Sequence, residues 1–149
     1  MAKFEFSLKG LLKMRQIKED EAKRNYAVAE ASLKTVMDKI NSMYRQIDEA
    51  RVVTSKLESK GGDIGAMAGY NDAFIRGINK MIEQEKYKAR ELMMDAEEKR
   101  DLLVEASREK KLLEILKEKQ YQEFKKLQKK VELKQLDEIV GLRYKRGKQ

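Results

Sequence analysis

From Ala22 to Leu57 apolar or aromatic residues recur in alternating steps of four and three: Ala22, Tyr26, Ala29, Leu33, Val36, Ile40, Met43, Ile47, Ala50, Thr54 and Leu57. Thr54 alone interrupts the stripe. A mean spacing of about 3.5 residues held over about five heptads is the pattern of a helix that packs against another along a coiled-coil seam. The chain has no proline, the residue that breaks a helix interior at a cost of about 3 kcal/mol, so such a helix can run long. Glycine is concentrated instead: Gly61, Gly62, Gly65 and Gly69 all fall between Glu58 and Tyr70. Each costs a helix about 1 kcal/mol relative to alanine, and an adjacent pair marks a break. Two amphipathic arms around one break fold back on each other. The expected fold is therefore all-α, a single long two-helix antiparallel coiled-coil hairpin. Its parts are helix 1 over about 8–58, a Gly-rich turn over about 59–70, helix 2 over about 71–141 and a basic tail over 142–149.

Several details follow. Ser7 and Asn71 have the chemistry of N-caps, and Gly141 of a helix stop. The seam of the second arm reads Phe74, Ile78, Met81, Glu85, Ala89, Leu92, Ala96, Lys99, Leu103 and Ala106, then Leu113, Leu116, Gln120, Phe124, Leu127 and Val131. Steps of four and four through Glu85 and through Gln120 are stutters, which locally unwind a supercoil. With Leu57 set against Phe74, Leu8 faces roughly Glu123 and the second helix overhangs the first by about 20 residues. Phe124, Leu127, Val131, Leu133, Leu136, Ile139 and Val140 lie in that overhang without a helix to bury them. Gly77 is either a tolerated helix glycine or a gap where a partner approaches the backbone.

Composition narrows the chemistry. With no histidine and no cysteine, the usual general base, thiolate and metal ligands are missing, and carboxylates scattered along helix faces read as solvated. Gly61-Gly62 is not followed by the Gly-Lys-Ser/Thr of a phosphate loop. No catalytic, metal or cofactor site is expected. Met1-Ala2-Lys3 leads into Phe4-Glu5-Phe6, which lacks the apolar stretch of a signal peptide, and no run suits a membrane span. A cytoplasmic protein is expected.

The net charge is +8, and residues 125–149 hold nine Lys or Arg against three Asp or Glu. A basic helix end has several uses: phosphate backbones, an acidic membrane surface with Phe124, Leu127 and Val131 dipping in, an acidic protein cavity, or none beyond solvation. The tail mixes Leu and Val with Lys and lacks interleaved stacking aromatics, which argues against nucleic acid.

Two stretches carry a family likeness. Phe4-x-Phe6-x-Leu8-x-x-Leu11-Leu12-x-x-Arg15, and Tyr70-Asn71-Asp72-Ala73-Phe74-Ile75 continuing through Ile78, Met81, Ile82, Glu83 and Gln84, resemble FliJ, the flagellar type III export protein. The likeness covers nearly the whole chain. It implies a stalk-like coiled coil, similar to the gamma subunit of rotary ATPases, that acts in flagellum biogenesis and so in motility and chemotaxis. The implied partners are the hexameric export ATPase (FliI-like), the export gate protein (FlhA-like) and export chaperones. The implied location is cytoplasmic, in peripheral contact with the inner-membrane export apparatus. The resemblance carries gate binding onto Phe74, Ile78, Met81 and Glu85, with Met43, Tyr44 and Ile47 on the first arm. It carries ATPase binding onto Leu8, Leu11, Leu12 and Arg15 with Phe124, Lys125, Lys126, Lys129 and Lys130.

Overall fold

The structure is a computed structural model that describes residues 2–60 and 65–147. Two helices account for most of them: α1, Lys9–Ser59, and α2, Gly65–Gly147. They pack on each other with no strand among the described residues, so the fold is an all-α helical hairpin. Two compact units form, Glu21–Leu103 and Met1–Asp20 with Val104–Gln149.

In the Glu21–Leu103 unit α1 runs antiparallel to α2, with Asn71 across from Thr54 and Glu85 across from Lys39. Its core is Ile40, Met43, Ile47, Ile78, Ile82 and Ala89, with Leu33, Val36 and Ile75 packed against it. The α1 side of this seam follows the periodicity of the sequence: Ala29, Ile40, Met43, Ile47 and Ala50 are buried, and the intervening stripe positions are half-buried. Buried alanines such as Ala29, Ala50, Ala89 and Ala96 let the helix backbones approach closely, at the cost of burying little apolar area each.

The α2 side departs from the expected seam. Ile82 is 2% exposed and Ile75 is half-buried, whereas Phe74 and Met81 are 45% and 50% exposed. The seam is Ile75, Ile78, Ile82, Glu85, Ala89, Leu92, Ala96, Lys99 and Leu103. This set alternates steps of three and four, so the stutter expected at Glu85 does not exist. Neighbouring residues are about 100° apart on a helix, and choosing Phe74 and Met81 would have carried Lys88 and Asp95 into the seam one and two heptads later. The register differs as well. An apposition of Leu57 with Phe74 would put Thr54 across from Gly77; it lies across from Asn71, about six residues or ~9 Å earlier.

The ends of α2 also differ. The helix starts at Gly65, ahead of Asn71, because Ala66, Met67 and Ala68 are strong helix formers that carry it through Gly69. Asn71 is thus inside the helix and caps nothing. Gly141 does not end α2, which continues to Gly147. A terminating glycine does so by turning left-handed; Gly141 keeps helical backbone angles, and Lys145 and Arg146 in the last turn suit the helix dipole. At the close of α1, Ser59 Oγ donates to the Lys56 carbonyl at 2.8 Å and Lys60 N to Leu57 O at 3.3 Å. The Gly61-Gly62 pair assigned to the turn lies outside the described residues.

In the other unit, the extended residues 2–6 lead into α1 and lie along α2. Phe4 meets Tyr121 and Phe124 at ring separations of 5.3 and 5.5 Å. Gln128 Nε2 donates to the Ala2 carbonyl at 3.1 Å, and Phe6 is 6% exposed. Leu8 therefore does not face Glu123, since Phe4 already lies at Tyr121. Leu113, Leu116, Gln120 and Phe124 are half-buried, so the stutter through Gln120 is present. From Lys129 to Gly147 every residue of α2 is exposed.

The corrected seam makes a sharp contrast. Ile82→Ala should cost about 2–5 kcal/mol of stability, as for a large aliphatic side chain lost from a core. Met81→Ala should cost under about 1 kcal/mol. Urea unfolding followed by helical circular dichroism measures both; equal losses would restore Met81 to the seam.

Candidate functional site

Two surfaces stand out, one in each unit. The first flanks the seam near the start of α2. Met67, Phe74 and Met81 recur at seven-residue spacing, so they share one side of the helix. Tyr70 sits beside them and Val53 answers from α1; all five are exposed. Val53, Leu57, Ala66, Met67, Tyr70 and Asn71 line one shallow groove. Its neighbour, on the same flank, is lined by Gln46, Glu49, Ala50, Val53, Tyr70, Asn71 and Phe74. Gly77 faces open space, where an added Cβ would meet nothing within 4 Å.

The seven residues carried over for gate binding separate into two groups. Phe74, Met81 and Tyr44 are exposed, while Met43, Ile47, Ile78 and Glu85 are buried in the seam. Tyr44 does not join the others. It is nine residues before Val53, about 180° around α1, and Lys86 lies 5.6 Å over its ring on that opposite flank. A hydrogen bond to Tyr44 is the main influence holding the Lys86 pKa above its ordinary value. The seam positions hold the flank in place; Phe74 and Met81, with Tyr70, Met67 and Val53, make the surface. Tyr70, Met67 and Val53 escape sequence reasoning because residues beside a seam show no signal until the seam itself is known.

The second surface lies where the lead-in residues 2–6 and the first turns of α1 meet α2. Leu8 and Leu11 are exposed, and Leu12 is half-buried beside a groove lined by Phe4, Glu114, Lys117, Glu118 and Tyr121. Arg15 is not a free cation: it is ion-paired with Glu109 across the helices, and Lys18 reaches the same carboxylate at 3.6 Å. Phe124 is half-buried under Phe4, and Lys125 lies 4.8 Å over the Tyr121 ring. Lys126, Lys129 and Lys130 are exposed. Beyond them α2 continues bare, with Val131, Leu133, Leu136, Ile139, Val140, Leu142 and Tyr144 all exposed.

Charges within the seams are paired. Glu85, 7% exposed, accepts from Lys39 Nζ at 3.0 Å and meets Lys88 at 3.5 Å. The Lys39 hydrogen bond holds its pKa below the usual carboxylate value, burial opposing. Glu19, buried in the other unit, accepts from Lys110 Nζ at 3.2 Å. That bond raises the Lys110 pKa, again against burial. Such pairs let Glu19, Arg15 and Glu85 lie between the helices without opening the seam. Among the described residues no cluster of carboxylates is arranged to hold a metal ion, and no helix is long and apolar enough to cross a membrane.

A protein-family model described as the flagellar FliJ protein matches residues 4–149. The chain belongs to the FliJ family. No curated protein and no solved structure matches it. Membership assigns this FliJ chain a flagellar, export-related role, and both surfaces fall inside the matched span.

The paired charges give a pH signature at each extreme. Glu85, with its pKa lowered by folding, stabilises at neutral pH, and that contribution is lost as pH falls through its folded value. Glu85→Gln should lower Tm at pH 7, with the gap to the parent closing below about pH 4. Lys110, with its pKa raised, stabilises until pH rises through its folded value. The deficit of Lys110→Gln should therefore close above about pH 10.5. Thermal melts across pH test both; a gap independent of pH would remove the charge pairing as its cause.

Proposed function

We propose that this FliJ chain is a stalk-like adaptor of flagellar protein export. It inserts its bare α2 end, with the neighbouring Leu8, Leu11 and Leu12, into the ring of the hexameric export ATPase, promoting assembly and activity. It offers the flank around Phe74 to the export gate, and it escorts export chaperones. The work is mechanical and allosteric: one helical element contacts successive subunits and biases them by binding their conformations unequally.

The observation that carries this reading is the distribution of apolar residues over residues 129–147. Leu133, Leu136, Val140 and Tyr144 share one side of α2, but Leu142 lies about 180° from Leu133 and Ile139 about 120° from it. A helix that is apolar on several sides suits enclosure within protein. A flat lipid surface would select a single apolar side. Lys and Arg between the apolar residues match acidic groups lining such a socket, their stems adding apolar contact. The family match supports the assignment of that socket to the export ATPase.

Adding the purified chain to its cognate ATPase should raise the hydrolysis rate, and deleting residues 129–149 should abolish that gain while helical circular dichroism shows the hairpin still folded. Phe74→Ala with Met81→Ala should weaken gate binding by about tenfold or more, the scale of a central aromatic anchor, and leave ATPase stimulation intact. Absence of both stimulation and gate binding would sink the proposal. Tight nucleic-acid binding with a steep salt dependence, or co-flotation with anionic vesicles, would replace it with the corresponding alternative.

A further inference from the structure

The seam between α1 and α2 contains one apposed pair of uncharged polar residues near the start of α2. Asn71 Nδ2 donates to Thr54 Oγ1 at 2.8 Å and lies 3.4 Å from the Ala50 carbonyl. Thr54 Oγ1 in turn donates to that same carbonyl at 3.0 Å. Both side chains are half-buried, and Ala50 is buried. The Thr54 bond lies within α1 and holds in any register, whereas the Asn71 Nδ2 contacts to Thr54 Oγ1 and the Ala50 carbonyl cross between the helices and form only when residues 54 and 71 are level with each other.

A second arrangement competes. Phe74, Ile78 and Met81 also form a stripe at seam spacing, and setting Phe74 against Leu57 brings Met81 against Ala50. On apolar contacts alone that alternative is well supplied near the turn. It would place Thr54 beside Gly77 and Ile78, strand Asn71 without its acceptors, and carry Glu85 away from Lys39 toward Ile47. Lone polar residues at seam positions are known to select one register at some expense of stability.

We propose that the Asn71–Thr54 pair is a register lock that keeps Phe74 and Met81 on the outer flank of the hairpin. Its role is positional: although Asn71 also lines the two grooves of that flank, the pair acts by deciding which face of the first turns of α2 partners meet. Replacing both residues with leucine removes the penalty on the competing arrangement, so the hairpin gains apolar burial but loses a unique register. The lock stands independently of what binds the flank, since its readout is intramolecular.

The chain contains no cysteine, so engineered pairs report register cleanly. Ile47→Cys with Ile78→Cys joins two members of the observed core; Ala50→Cys with Met81→Cys reports the competing arrangement. Beside Thr54 and Asn71, oxidation should close the 47–78 pair and leave the 50–81 pair open. In the Thr54→Leu, Asn71→Leu background, disulfide formation at 50–81 should accelerate by at least about tenfold, the worth of one buried hydrogen bond with its unpaired alternative. The exchanged variant, Thr54→Asn with Asn71→Thr, restores a polar pair and should return oxidation to 47–78 alone. Helical circular dichroism identifies any variant that fails to fold, and the exchanged variant then decides. Exclusive 47–78 closure in the leucine background, or 50–81 closure in the exchanged one, overturns the lock.

Discussion

Within each unit one stretch of α1 meets one stretch of α2, and that limit governs the rest. A helix in a globule buries its apolar face against several neighbours; here a stretch of helix has at most one other helix to pack on. The Ile78 and Ile82 side chains, packed among Ile40, Met43 and Ile47, are therefore the main store of burial in their unit, at about 1.5–3 kcal/mol for each large side chain. Apolar residues outside the seam have no second layer to cover them. Exposed Phe74, Met81, Leu136 and Val140 are the direct consequence, and they are what such a chain can offer to another protein.

The same limit explains how the polar residues are used. A seam of isoleucine, leucine and alanine alone would fit together at several offsets, because every heptad resembles the next. Placing Glu85 against Lys39, Glu19 against Lys110 and Thr54 against Asn71 ties each offset to a specific set of partners. Each pair surrenders some stability relative to an apolar one and gives a single alignment in exchange. The extended residues 2–6 do related work where α1 has not yet begun. With Phe4 on Tyr121 and Phe124 they cover a further stretch of α2, and where that cover stops the bare basic helix begins.

Much of this was legible from residues alone. The α1 stripe from Ala22 to Leu57 names the residues that are in fact buried or half-buried, because a long heptad pattern in a proline-free arm admits one reading. The family was legible too, from the Phe4–Arg15 stretch and the residues around Phe74. The candidate gate surface was only partly so. Of the residues carried onto it, Ile78, Glu85, Met43 and Ile47 are seam members, and Tyr44 lies on the opposite flank from Phe74. Sequence spacing marks a residue as belonging near a helix interface, but Phe74-Ile78-Met81 and Ile75-Ile78-Ile82 both alternate steps of three and four, so spacing alone does not say which stripe is seam and which is flank.

What the amino-acid order settled by itself is that the chain makes long helices, that α1 turns one particular stripe toward a partner helix, and that the basic surplus gathers at the end of the second arm. These follow from local quantities: helix propensity, the period of the apolar residues and the count of charges. What only the tertiary structure decided is which of two adjacent stripes on α2 goes inward, and at what offset. Phe74 with Met81 and Ile75 with Ile82 are nearly equal in apolar content and stand about 100° apart beside the shared Ile78. The choice between them rests on Thr54 and Lys39 of the facing helix, and on Lys88 and Asp95 further along, whose cost or benefit exists only once two distant segments lie side by side.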